Sequence, residues 1–174
     1  MERAWKPWKL WMPVGIWAGL IFLGSTDLLS ASRTSGFLSG LLNWLVPGIE
    51  SETVALIRTL IRKCGHLTEY AVLAMLLGRA LRVRRPPGEE RGDGAVLGWG
   101  WLWATCYAVS DEFHQSFHPS RQGSVLDVMI DGAGAMLGLL LLIGYRRWRA
   151  GRRLKEGGVQ MVTSPPPRNP LDGR

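Results

Sequence analysis

Four long apolar segments constrain the fold of this chain more than any other feature of its sequence. They cover residues 10–26, 63–81, 95–117 and 124–145. Each is close to the roughly 20 residues that a helix needs to cross the hydrocarbon core of a bilayer. Backbone polar groups in lipid are satisfied only within helices or closed barrels. The sequence therefore predicts an all-α integral membrane bundle of four transmembrane helices, built as one domain over residues 10–145.

The first apolar segment permits a second interpretation. A basic start followed by a short apolar core is also typical of a secretory signal peptide, with the small residues 30–32 as a cleavage site. Those three residues form an unconvincing cleavage site. We therefore expect the first segment to remain as an uncleaved helix.

Lysine and arginine residues concentrate beside the apolar segments. They lie in the basic N-terminal tail (residues 1–9), between residues 79 and 91, and after Tyr145, and the chain has a net charge of +7. Because cytoplasmic flanks are enriched in Lys and Arg, this distribution predicts that both termini lie inside the cell. The basic residues form no single patch, so membrane lipids are the expected partner and nucleic acid is not. The basic and Pro-rich residues 146–174 are predicted to form a disordered tail.

The connection between the first two segments is predicted to lie outside the cell. Residues 37–46 are apolar but too few to span a bilayer, which favours a short helix at the interface or one that re-enters the outer leaflet. Pro47 and Gly48 break that helix. Residues 51–61 have helical spacing and can run into the second span, so short interfacial helices are expected here.

Ionisable and amide side chains gather at one end of the last three segments, the end predicted to face outside. The set comprises Lys63, His66, Glu69, Asp111, Glu112, His114, Gln115, Arg121, Asp127 and Asp131. At about 100° per residue, Asp111, His114 and Gln115 share one helix face and Glu112 is turned away. Such residues are costly within a membrane and usually functional there. The sequence thus predicts a shared polar cluster at the outer leaflet.

Two glycines continue the polar face of the last segment. Gly134 and Gly138 are one turn apart, below Asp127 and Asp131. A pair of small residues at this spacing lets two helix backbones approach closely. The pair predicts close packing of the fourth span against a neighbour.

Three motifs together resemble the VanZ-like membrane protein family over residues 10–144. The motifs are Lys63-Cys-Gly-His66-Leu-Thr-Glu69, Ser110-Asp-Glu-Phe-His-Gln115, and Arg121 with the downstream Asp127 and Asp131. The family takes its name from a glycopeptide-resistance accessory protein linked to teicoplanin. The resemblance implies four spans and a role in the cell envelope, of which antibiotic resistance is one type. It implies no established reaction.

The residue types in the cluster leave several chemical roles open. His66 and Glu69 could bind a metal ion or form a hydrogen-bonded pair between helices. Carboxylate and imidazole ligands suit Zn, Mn or Mg, so the cofactor remains unknown. Asp111, Glu112 and His114 are the candidate catalytic residues. The candidate binding residues are Arg121, Gln115, Lys63, Asp127 and Asp131.

Two functional classes fit a multi-pass protein of the cell membrane with this cluster facing outside. In the first, a non-catalytic protein binds a headgroup or partner, such as a lipid-linked cell-wall precursor or an envelope polymer. In the second, a membrane-embedded hydrolase or transferase, metal-dependent or not, acts on a lipid-linked phosphate or glycan. A transporter is disfavoured because the charged residues sit at one end of the segments and line no route inward.

Overall fold

The computed structural model describes residues 8–26, 31–82, 92–117 and 123–163. Within these ranges the chain forms five helices and no strand, which confirms the all-α prediction. The helices are α1 (Trp8–Ser25), α2 (Ala31–Leu45), α3 (Ser51–Arg82), α4 (Asp93–Gln115) and α5 (Val125–Thr163). The first, second, third and fourth apolar segments lie in α1, α3, α4 and α5.

Helix α3 contains both the helical stretch of residues 51–61 and the second apolar segment, which the sequence did not show to be a single helix. It runs without interruption for 32 residues from Ser51 to Arg82. The segment contains no proline, so every backbone N–H after the first turn can bond within the helix. The apolar helix predicted between the first two apolar segments is α2, and the turn after it contains Gly48 at a φ of 85°. A positive φ is a conformation that glycine adopts at little cost.

Helix α5 is longer than the predicted fourth span. It extends for 39 residues to Thr163, whereas a disordered tail was predicted from Arg146. The first proline after the start of α5 is Pro165, so nothing in residues 146–163 forces the helix to end earlier. Residues 164–174 lie outside the described part of the chain.

The helices α3, α4 and α5 pack against one another, and α1 packs on α3 and α4. At one end, Asp93 at the start of α4 pairs with Arg82 at the end of α3 at 2.6 Å and with Arg147 of α5 at 2.9 Å. The Arg82 guanidinium, and to a lesser degree that of Arg147, holds the pKa of Asp93 below its usual range. At the opposite end, the Ser124 N–H beside α5 donates to Glu112 of α4. Helix α4 is therefore antiparallel to α3 and α5.

The contact between α3 and α5 depends on the two predicted glycines. A Cβ at Gly134 would overlap the carbonyl oxygen of Leu67, and a Cβ at Gly138 would overlap that of Ala71. The same added atom at Gly138 would lie 2.8 Å from the Ala71 carbonyl carbon. The obstacles are backbone atoms, which cannot rotate aside. The close-packing prediction for this pair is confirmed.

Large apolar side chains cover much of the outer surface of the helices, and the interior contains small and polar residues. Ile16, Trp103 and Leu140 are exposed, as are more than twenty other large apolar residues. Ala74, Ala104, Ala108 and Ala135 lie in the buried core beside Tyr70, Leu73 and Leu139. Among the described residues, one stretch is long and apolar enough to cross a membrane, Val125–Arg153 of α5.

Candidate functional site

Four carboxylates are buried at the end of the helices opposite Asp93. They are Asp111 and Glu112 of α4 and Asp127 and Asp131 of α5. Their exposed fractions range from 0% for Asp131 to 5% for Glu112. Acidic side chains are almost never so deeply buried unless they are paired or hold a ligand. The contacts of each one therefore decide what this end of the bundle can do.

Asp127 is held by two cations from α3. Lys63 Nζ lies 3.0 Å from its Oδ1, and an Arg62 guanidinium nitrogen lies 3.1 Å from its Oδ2. The Asp127 side chain is 2% exposed, whereas those of Arg62 and Lys63 are 47% and 28% exposed. The buried carboxylate thus fixes two cations that still face the surroundings.

Asp131 contacts His66 one turn deeper along the same pair of helices. Its Oδ1 lies 3.2 Å from Nδ1 of the imidazole. His66 is itself buried. This contact settles which ring nitrogen faces the carboxylate and leaves Nε2 for other partners.

Glu112 extends from α4 toward the same place. Its Oε2 accepts a hydrogen bond of 2.8 Å from the backbone N–H of Ser124. The chain can come this close because Gly123 has no Cβ. An added Cβ there would lie 2.6 Å from the Glu112 carbonyl oxygen. One donor atom from each of His66, Glu112 and Asp127 lies within 4.8 Å of the other two. We call these three residues and Asp131 the His66 cluster.

Asp111 belongs to a separate network that faces α1. Its Oδ2 accepts hydrogen bonds from Ser25 Oγ at 2.8 Å and from Gln115 Nε2 at 3.0 Å. Gln115 Nε2 also donates to Ser25 Oγ at 3.1 Å. His114 is half-buried, and its ring packs on Phe22 of α1 with the ring centroids 4.6 Å apart. These contacts fix the end of α1 to α4.

Several buried oxygen atoms in or near the His66 cluster and the Asp111 network have no hydrogen-bond partner among the described residues. They are Tyr70 Oη, Asp111 Oδ1, Glu112 Oε1 and Asp131 Oδ2. Buried polar atoms in proteins are nearly always paired with protein, water or an ion. The described polar groups at this end are therefore not all satisfied by one another, which favours a binding site.

The structure brings together most of the predicted site residues. Lys63, His66, Asp111, Glu112, Gln115, Asp127 and Asp131 all lie at this end. Glu69, predicted as a metal ligand with His66, is instead exposed and does not belong to the His66 cluster. Its backbone carbonyl accepts a hydrogen bond from the Trp17 indole N–H at 2.9 Å. Arg121 lies outside the described residues.

Glu112 lies on a different face of α4 from Asp111, in keeping with the helical periodicity. Glu112 and Asp111 are adjacent, and both are buried. Helix α4 has neighbours on two sides, so Asp111 faces α1 while Glu112 faces the other helices. The periodicity did not show that this second face of α4 is buried as well. Sequence reasoning also missed Arg62 and Ser25, although Arg62 directly precedes the predicted Lys63.

An apolar cavity of about 580 Å³ lies between α1, α3 and α4. Its walls include Trp11, Ala18, Leu73, Leu81, Trp103 and Ser110. The α3 wall extends from Leu73 to Leu81, eight helical steps that cover about 12 Å at a rise of about 1.5 Å per residue. The cavity therefore runs along the helices, and its Ser110 end is next in sequence to Asp111.

Comparison with known proteins gives one match. A family model described as VanZ/LLP1 matches residues 10–146. No curated protein and no solved structure shows significant similarity to the chain. The matched range contains every described residue of the two polar groups.

Proposed function

The chain belongs to the VanZ/LLP1 family, and from that premise we propose that it is a multi-pass membrane protein that binds an anionic, lipid-linked headgroup at the outer face of the cell membrane. The observation that carries this proposal is the pair of cations, Arg62 and Lys63, held by the buried Asp127. The role of the protein is then in the cell envelope. The headgroup would belong to a cell-wall precursor or to an envelope polymer.

The distribution of apolar side chains supports four membrane spans, α1, α3, α4 and α5. Side chains such as Ile16, Leu102 and Leu140 are exposed to the surroundings, while Asp111 and Asp131 are buried. In water this arrangement would be unfavourable, because exposed apolar area costs about 25 cal/mol per Å². In lipid the same surface is favourable and the interior polar groups are shielded.

The positions of basic residues support a cluster that faces outside. Arg79 and Arg82 of α3 and Arg147 of α5 lie at the end of the helices near Asp93. Cytoplasmic ends of membrane helices are enriched in Arg and Lys. The polar cluster lies at the opposite end, so the same rule assigns it to the outer leaflet.

The two cations have the chemistry that a phosphate or carboxylate headgroup requires. An arginine has five N–H donors and a lysine three, and the contacts with Asp127 use only some of them. Charge-assisted hydrogen bonds of this kind are about twice as strong as neutral ones. The apolar cavity between α1, α3 and α4 offers a site for an acyl or isoprenoid chain.

Substitution of Arg62 by glutamine is expected to weaken headgroup binding by roughly tenfold. One charge-assisted hydrogen bond contributes about 1.5 kcal/mol, which corresponds to that factor. Lys63 remains on Asp127 in this variant, so the carboxylate keeps a partner. The measurement is the binding of a short-chain polyisoprenyl phosphate to the full chain in phosphatidylcholine nanodiscs, with a chelator present.

Arg153→Gln provides the matched control, because Arg153 is an exposed arginine on α5 beyond the opposite end. It should bind the phosphate lipid as the unmodified protein does. Equal affinities for the Arg62→Gln and Arg153→Gln variants would refute a headgroup site at Arg62 and Lys63.

The second candidate function is a membrane-embedded hydrolase or transferase. One buried oxygen of Asp111 and one of Glu112 have no hydrogen-bond partner among the described residues, and this favours it, because carboxylates that are not consumed by the fold can act as general bases. His114 would serve as the third catalytic residue. Release of inorganic phosphate from the lipid probe, measured on the same nanodiscs without the chelator, would select a hydrolase over binding alone.

A further inference from the structure

The His66 cluster contains ligand types from three different helices at one point. His66 comes from α3, Glu112 from α4 and Asp127 from α5, and one donor atom of each lies within 4.8 Å of the others. Three buried groups with oxygen and imidazole nitrogen donors are what a divalent transition-metal ion binds. We propose that His66, Glu112 and Asp127 bind one divalent ion, such as Zn²⁺ or Mn²⁺, with Asp131 as the positioning residue.

The contact between Asp131 and His66 supports this role for the imidazole. Asp131 Oδ1 lies 3.2 Å from His66 Nδ1, so the carboxylate accepts a hydrogen bond when that nitrogen is protonated. Histidine ligands in proteins almost always donate their second ring N–H to a carboxylate or carbonyl. The arrangement leaves His66 Nε2 as the nitrogen that coordinates the ion.

A second, independent observation points to a ligand at the same place. Glu112 Oε1 is buried and has no hydrogen-bond partner among the described residues, and the same holds for Asp131 Oδ2. Glu112 as a whole is 5% exposed. A structural carboxylate that only joins helices would be expected to use both oxygens. Within the described part of the chain, Glu112 uses one of its oxygens, which accepts from the Ser124 N–H.

The charges of the described side chains also favour a cation. The His66 cluster contains three carboxylates, and the two described cations beside it, Arg62 and Lys63, both pair with Asp127. With the three carboxylates ionised, these described groups leave one negative charge in excess. A bound cation would offset that charge. Asp127 can take part while paired with Arg62 and Lys63, because each carboxylate oxygen has two lone pairs.

The test is a metal titration of the purified full chain in detergent, without any lipid probe. After chelator treatment and dialysis, the protein is loaded with Zn²⁺ or Mn²⁺ alone, and bound metal is measured by plasma mass spectrometry. We expect about one ion per chain. A substoichiometric content for both metals would overturn the site.

Glu112→Gln is the informative variant and Glu52→Gln its control. The amide at position 112 can still accept the Ser124 N–H but lacks the charge, so stoichiometric binding should be lost. Glu52 is an exposed glutamate on the first turn of α3, so its variant should retain one ion per chain. Equal metal contents for Glu112→Gln and Glu52→Gln would contradict the assignment. If Glu112→Gln fails to fold, the stoichiometry of the unmodified protein decides the question.

Asp131→Asn separates a positioning role from ligation. Loss of a carboxylate behind a histidine ligand typically weakens metal affinity 10–100-fold. We expect Asp131→Asn to keep one site per chain with an affinity reduced by about that range, measured by competition with a chromogenic chelator. Unchanged affinity would refute the orienting role. The headgroup assay contains a chelator and the metal assay no lipid, so failure of either proposal leaves the other testable.

Discussion

Replacement of Gly138 by leucine is expected to prevent assembly of the helices. Any Cβ at this position would overlap the Ala71 carbonyl oxygen and lie 2.8 Å from its carbonyl carbon. Overpacking against movable side chains typically costs about 1–3 kcal/mol, and a backbone obstacle should exceed that range. Helices α3 and α5 would have to separate. This would also disrupt the His66 cluster, because three of its four residues lie on these two helices.

Gly144→Leu is the control for this substitution. Gly144 lies on the same helix, and a Cβ there meets nothing within 4 Å. An added leucine at this position should leave the protein monodisperse in detergent, with a thermal midpoint close to that of the unmodified chain. Gly138→Leu should instead aggregate or lose its unfolding transition. Similar midpoints for the two variants would show that the close approach of α3 and α5 is not required.

Substitution of His66 alone by leucine is expected to destabilise the protein more than substitution of His66 and Asp131 together. Asp131 is 0% exposed, and His66 provides its only hydrogen bond from a described residue. Removal of one partner from a buried charged pair typically costs about 3–5 kcal/mol, because the other charge stays buried. Replacement of both by apolar residues of similar size is often neutral or stabilising.

The double variant His66→Leu/Asp131→Leu should therefore recover most of the stability that His66→Leu loses. The measurement is reversible unfolding in mixed micelles with a chelator present, so that no metal contributes. His114→Leu serves as a control, since that imidazole is half-buried and packs on Phe22 outside the His66 cluster. A double variant less stable than His66→Leu would show that the pair itself stabilises the fold.

Local sequence patterns predicted the helices better than their ends. Apolar segments placed the cores of α1, α3, α4 and α5, and the spacing of Gly134 and Gly138 predicted the contact of α5 with α3. The length of α5 was underestimated because basic composition was read as disorder. Basic residues are compatible with a helix, and this stretch contains no proline to interrupt it.

Sequence patterns could predict which site residues share a face of one helix, but not which helices those faces contact. Helical periodicity placed Asp111 and Gln115 on one face, and they share the network with Ser25. Periodicity also placed Glu112 on another face, but it could not show that this second face of α4 is buried. The contact of Ser25 with Asp111 joins residues 86 positions apart, and no local pattern encodes such a pairing.

Cysteine labelling tests most directly whether the polar cluster opens to the outside of the cell. Both native cysteines, Cys64 and Cys106, are free and exposed and would first be replaced by serine. Glu52, on the first turn of α3, and Arg153, on α5, are exposed and are then changed to cysteine one at a time. A membrane-impermeant maleimide should label Glu52→Cys in intact cells and Arg153→Cys only after permeabilisation. The reverse pattern would place the cluster inside and contradict a role at the outer leaflet.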